Sequence, residues 1–158
     1  MRTQIAFKQF NPNKPAKYGM LFKSVNAAHY PLTFITSVYA CKPVGVPGPF
    51  YITGSDAIVM HLVTRLQQAT NLRGRNISYD RLYTSIPLAK WLLQQGITSI
   101  GTLMTNRRGI PKEIKSISGE EFTYNVSCEQ QEKKLNWHSY LVKTKSSGMR
   151  IVLVLSTT

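Results

Sequence analysis

The sequence predicts an α/β fold, on three observations. Over roughly its first two thirds, segments rich in β-branched and aromatic residues alternate with segments of helical periodicity. After that, apolar and polar residues alternate singly, as in half-buried strands. Near the end, Ile151-Val-Leu-Val-Leu155 is an unbroken apolar run, the pattern of a strand covered on both faces.

The first expected strands are Tyr18 to Val25 and Leu32 to Ala40, joined by a turn around Asn26-Ala-Ala-His-Tyr-Pro31. Pro43-Val-Gly-Val-Pro-Gly-Pro49 is too heavily punctuated for regular structure and reads as a loop. Ser55 is then placed to cap a helix. Ile58, Val59, Leu62, Val63 and Leu66 recur on one face of it, and Asp56 falls in its first turn, where a carboxylate meets the helix dipole favourably. A basic link, Leu72-Arg-Gly-Arg75, leads to a short strand from Asn76 to Tyr79. A second helix starts near Thr84 or Ser85, accepts Pro87 in its first turn and stops at Gly96. Ile97 to Thr105 reads as another strand. Helices alternating with strands imply parallel pairing through right-handed crossovers.

The remainder reads as β-rich. Phe122, Tyr124, Val126 and Cys128 alternate with polar neighbours, as do Leu135 and Trp137, with a polar interruption at Glu129-Gln-Gln-Glu-Lys-Lys134. Trp91 and Trp137 are read as core residues.

Composition narrows the function. The chain has 158 residues, enough for a core, and 42% of them are hydrophobic. No apolar run approaches a membrane span, and the N-terminal segment lacks the apolar centre of a secretory signal. Cys41 and Cys128 are too far apart to suggest a metal-ligand pair or a disulfide framework. His29, His61 and His138 share no ligand spacing. With seven acidic residues, a Ser-His-Asp arrangement is hard to assemble. No glycine-rich phosphate loop is present. The dominant signal is charge: 20 Lys and Arg against 7 Asp and Glu give a formal +13 and a pI near 10.0. No acidic residue precedes Asp56, so the N-terminal third is uniformly cationic. Such a surface attracts polyanions, and nucleic acid is the expected partner. A membrane is not.

Asp80 is the candidate chemical residue. It is one of two aspartates, and it stands at the carboxyl end of the short strand, immediately before a helix start. Metal-dependent phosphoryl transfer uses carboxylates there, because hard divalent cations take oxygen ligands.

Four segments, in order, carry a family resemblance: Phe10-Asn-Pro-Asn-Lys-Pro-Ala-Lys-Tyr-Gly19, Arg75-Asn-Ile-Ser-Tyr-Asp80-Arg-Leu-Tyr-Thr-Ser-Ile-Pro-Leu-Ala-Lys90, Gly101-Thr-Leu-Met-Thr-Asn-Arg-Arg-Gly-Ile-Pro-Lys-Glu113 and Val154-Leu-Ser-Thr157. Over nearly its whole length the chain resembles the central part of the catalytic domain of a piggyBac-type transposase, or of a protein derived from one. The resemblance implies an incomplete RNase H-like core over residues 1–109, a β-rich insertion over 110–149 and a returning core strand over 150–158.

It also implies an acidic triad that holds two divalent ions, Mg²⁺ or Mn²⁺, in the intact parent, where they serve DNA cleavage and strand transfer. Asp80 matches the second aspartate of that triad. The first is expected just before Met1 and the third beyond Thr158. DNA is the implied partner, a homodimer the implied assembly of the parent, and the nucleus the implied location. Lys14 and Lys17 of the first segment, and Arg107, Arg108, Lys112 and Lys115 of the third, are the candidate phosphate contacts.

Two departures bear on activity. Arg81 stands where the family often has Asn, and a guanidinium beside a metal site repels the cation. Ser147-Gly148 occupies a region where many members carry an acidic residue. The expectation is therefore a chain inactive by itself. The alternative is a domesticated, non-catalytic module that binds DNA or a partner.

Overall fold

A computed structural model describes residues 8–39, 54–115, 124–130, 133–144 and 148–158. The chain divides into two units, residues 1–70 and 71–158.

In the first unit, β1 (Gln9–Phe10) and β2 (Tyr18–Gly19) form an antiparallel ribbon. The turn between them is built by Asn11. Its side chain accepts from the Asn13 N–H (3.1 Å), its carbonyl from the Lys14 N–H (3.3 Å), and its own N–H donates to the Lys17 carbonyl (2.7 Å). A second antiparallel pair, β3 (Phe22–Asn26) and β4 (Thr33–Val38), carries a bulge between Val25 and Asn26. The continuous strand expected from Tyr18 to Val25 is thus two strands. Tyr18 and Gly19 pair backward with β1, whereas Phe22 onward pairs forward with β4, so the chain changes partner at Met20 and Leu21.

Helix α1 spans Ser55–Ala69, with Ile58, Leu62, Val63 and Leu66 buried along one face, as the periodicity predicts. Its cap differs from expectation. Gly54 is the N-cap, at φ 99°, a conformation L-residues rarely adopt, and Ser55 is already helical. The Ser55 hydroxyl lies 3.2 Å from the Asp56 carboxylate, to which it donates. The loop expected at Pro43–Pro49 lies outside the described residues.

The second unit is organised by one five-stranded sheet. Its strands are β5 (Asn76–Tyr79), β6 (Thr98–Leu103), β7 (Tyr124–Gln130), β8 (Lys133–Thr144) and β9 (Gly148–Thr157), in the spatial order β5-β6-β9-β8-β7. Only β5 and β6 are parallel; they are joined through helix α2 (Ile86–Gln94), the strand–helix–strand unit that the sequence predicts. The other neighbours are antiparallel. Among the described residues β3 and β4 pair with each other in a separate antiparallel sheet, not in parallel with β5 as the alternation of elements suggests.

The strands expected as an inserted β-rich segment, β7 and β8, extend the same sheet beyond β9. A short helix, α3 (Lys112–Lys115), follows β6. Ala89 of α2, Ile110, Ile114 of α3, and Leu103, Leu135, Trp137, Leu153 and Leu155 of the sheet form the core. The run at Ile151–Leu155 is not covered equally on both sides: Leu153 and Leu155 are buried, but Ile151, Val152 and Val154 only partly.

Candidate functional site

Asp80 follows the last residue of β5 and is exposed. Its carboxylate accepts from the Arg81 backbone N–H at 2.6 Å. Its carbonyl is the hub of the turn that follows, accepting from the Tyr83 N–H (2.9 Å), the Thr84 N–H (3.2 Å) and the Thr84 hydroxyl (3.1 Å). Thr84 is fully buried, so this hydroxyl is fixed. The next residue, Ser85, caps α2 by accepting from the Leu88 N–H at 3.2 Å, with Pro87 in the first turn. Strand, carboxylate, turn and helix are thereby locked in sequence order, and the cap alone contributes about 1 kcal/mol.

A second clamp comes from the loop after β6. Arg107 donates from Nη2 to the Leu82 carbonyl at 2.9 Å, and its Nε is buried without a partner among the described residues. Of the expected phosphate contacts, Arg107 thus turns inward and braces the Asp80 turn. Arg108 and Lys112 are exposed, Lys112 opening α3. Lys115 closes α3, and its side chain lies outside the described residues. Lys14 and Lys17 are exposed in the β1–β2 turn of the first unit. Asp56 occupies the first turn of α1, the structural position the sequence suggests.

Behind the turn, hydroxyl groups connect the strands. The Tyr79 hydroxyl lies 3.1 Å from Ser99 Oγ, and the Ser99 N–H donates to Thr157 Oγ1 at 2.8 Å. Gly101 lies opposite Tyr79 in the parallel register, and a Cβ there would fall 2.5 Å from Thr84 Oγ1 and 2.6 Å from the Tyr79 ring. The sequence places Tyr79, Thr84, Gly101 and Thr157 in a strand, a helix start and the family segments, but carries no signal that joins them to one another.

Burial and, secondarily, the Asp80 carboxylate push the Tyr83 phenol above its ordinary value. The folded state therefore holds this proton more tightly than the unfolded chain. The resulting stability is complete below about pH 10, the unfolded value, and is lost as pH rises through the higher folded value. Tyr83→Phe is expected to flatten the alkaline arm of a stability–pH curve, and an unchanged arm would contradict the placement of this phenol.

Among the described residues, no three His, Cys, Asp or Glu side chains come together to hold a metal ion. Asp80 offers one carboxylate, which suits one ligand of an oxygen-coordinated site but cannot by itself hold two dications. No helix among the described residues is long and apolar enough to cross a membrane.

The second unit is thus α/β, with an aspartate directly after a strand and a basic loop bracing the turn that follows it. The family model described as Transposase IS4 matches residues 1–155, and the chain belongs to that transposase family. It is also similar to a solved structure, the cryo-EM structure of piggyBac transposase in a synaptic complex with hairpin DNA. That likeness has a TM-score of 0.70 at 28% sequence identity and covers 96% of this chain and 29% of the transposase chain. No curated protein matches. The piggyBac-type resemblance of the sequence is thus borne out, and the family implies divalent metal in the intact enzyme.

Proposed function

We propose that the chain is part of a piggyBac-type catalytic domain with an RNase H-like core, in which Asp80 is one of the metal-binding aspartates and the basic loops bind DNA. The observation that carries this is the Asp80 turn. An aspartate directly follows a strand of a parallel pair, and its main chain is held by Thr84 and, through Leu82, by Arg107. Such bracing suits a ligand whose position matters, since catalytic groups tolerate little displacement. In the intact enzyme, Mg²⁺ or Mn²⁺ would supply activation of a hydroxyl and stabilisation of the leaving oxygen. This chain's contribution is one oriented carboxylate and a cationic surface. A nuclear location follows from a DNA substrate and belongs to the same proposal.

The DNA reading is tested with a labelled duplex titrated at several salt concentrations. The expected result is an affinity that falls linearly on a log–log plot, with a slope of about −0.9 per phosphate neutralised. A flat salt response, or no binding at low salt, would reject it.

A second reading, a non-catalytic DNA-binding module, is favoured by Arg81 beside Asp80, where its guanidinium disfavours a bound cation. Under it the chain alone performs no strand transfer. Duplex nicking with Mn²⁺ that Asp80→Ala abolishes would decide against that reading.

A further inference from the structure

The β1–β2 ribbon presents something that simple phosphate binding does not require. Phe10 and Tyr18 are directly paired across the two strands, so both rings rise from one face of the ribbon. Their centroids are 5.1 Å apart at an interplanar angle of 49°. Both remain open to solvent, Phe10 at 57% and Tyr18 at 59% exposure. Lys8, two residues before Phe10 and so on the same face, places its ammonium 4.6 Å from the Tyr18 ring centroid. The turn that closes the ribbon carries exposed Lys14 and Lys17, and its conformation is restricted by Pro12 and Pro15.

We propose that this ribbon is a stacking platform for unpaired DNA bases, with Phe10 and Tyr18 meeting the base faces and Lys8, Lys14 and Lys17 the neighbouring phosphates. It rests on the DNA reading above and adds the form of DNA that is bound. Ring faces can stack only on a base that has left its own stack. A duplex hides those faces and offers base edges and backbone. Exposed aromatic rings interleaved with cations are the combination that sequence-tolerant single-strand binding uses. The surroundings favour a polyanion over an apolar protein partner, because no acidic residue precedes Asp56.

The test measures fluorescence anisotropy of the full chain with a labelled single strand of roughly 12 nucleotides and with a duplex of the same length. The double variant Phe10→Ala/Tyr18→Ala is expected to lose about tenfold in single-strand affinity for one stacked base. Its duplex affinity should stay within about twofold, which also reports an intact ribbon. The ring-retaining variant Phe10→Tyr/Tyr18→Phe is expected to keep both affinities. Lys14→Ala/Lys17→Ala should weaken both forms and shrink the salt slope by about 2, near 1 per phosphate contact. Equal loss on both forms of DNA, no loss in the alanine variant, or a loss in the ring-retaining variant as large as in the alanine variant would overturn the stacking platform alone. Failure of the unaltered chain to bind either form would overturn the DNA reading, and the platform with it.

Discussion

Trp137→Ala is expected to lower the stability of the chain by about 3–5 kcal/mol, the range for removing a large aromatic ring from a packed core. Trp137 is 7% exposed on β8, paired across the sheet with Leu155 of β9, which is fully buried. It shares its cluster with Leu135 and Leu153 of the sheet, Ala89 of α2, Ile110, and Ile114 of α3. The indole therefore fills space between the sheet and its covering helices, and alanine would leave a cavity that rigid neighbours can close only in part. Single domains are stable by about 5–15 kcal/mol, so this one change would remove a large share of the total. Urea denaturation followed by far-ultraviolet circular dichroism is the suitable measurement, since indole fluorescence changes with the substitution itself. A loss below about 1 kcal/mol would mean that Trp137 does not sit in a packed core.

What was legible in the sequence were the elements decided locally. Helix α2 could be placed because its signals lie within a few residues of each other: the Ser85 cap, Pro87 in the first turn and Gly96 beyond the end. The burial of Leu135 and Trp137 followed from alternation, which a strand with one covered face imposes directly. The family followed from four ordered segments and is borne out by the match over residues 1–155.

What escaped depends on partners distant in sequence. Nothing near Met20 announces that β2 pairs backward while β3 pairs forward. The basic stretch around Arg107 looks uniformly solvent-facing until the fold brings Leu82, 25 positions earlier, within reach of one guanidinium. Ser55 has the chemistry of a cap, but Gly54 can take a backbone conformation that its neighbour cannot easily adopt, and it assumes the role. At the Asp80 site, the aspartate and its strand end were readable. The interactions that fix it were not, because the Thr84 hydroxyl bonds the Asp80 carbonyl and Gly101 leaves room for Thr84 and the Tyr79 ring, and both depend on how the strands come together.

Gly101→Ala isolates that last point, and its expected cost is about 1–3 kcal/mol, the range for overpacking. A single added methyl would sit 2.5 Å from Thr84 Oγ1 and 2.6 and 2.8 Å from two carbons of the Tyr79 ring, closer than carbon atoms tolerate. Neither neighbour yields cheaply. Thr84 is fully buried and bonded to the Asp80 carbonyl, and the Tyr79 ring is tethered through its hydroxyl to Ser99. Relief must come from moving the segment between them, which is Asp80 and its turn. Two readouts should therefore shift together. The melting temperature should fall by several degrees, about 2–8 °C per kcal/mol for domains of this size range. The ionisation of Tyr83, which senses the Asp80 carboxylate, should change as well. Gly19→Ala is the control, since a Cβ there meets nothing within 4 Å and needs no unusual backbone angle; its effect should stay within about 0.5 kcal/mol. A lower melting point with Tyr83 unmoved would show that the strain dissipates into the core and that Gly101 does not govern where Asp80 stands. If both respond, the absence of a side chain at position 101 is what lets the strand pair approach closely enough to hold the carboxylate in place.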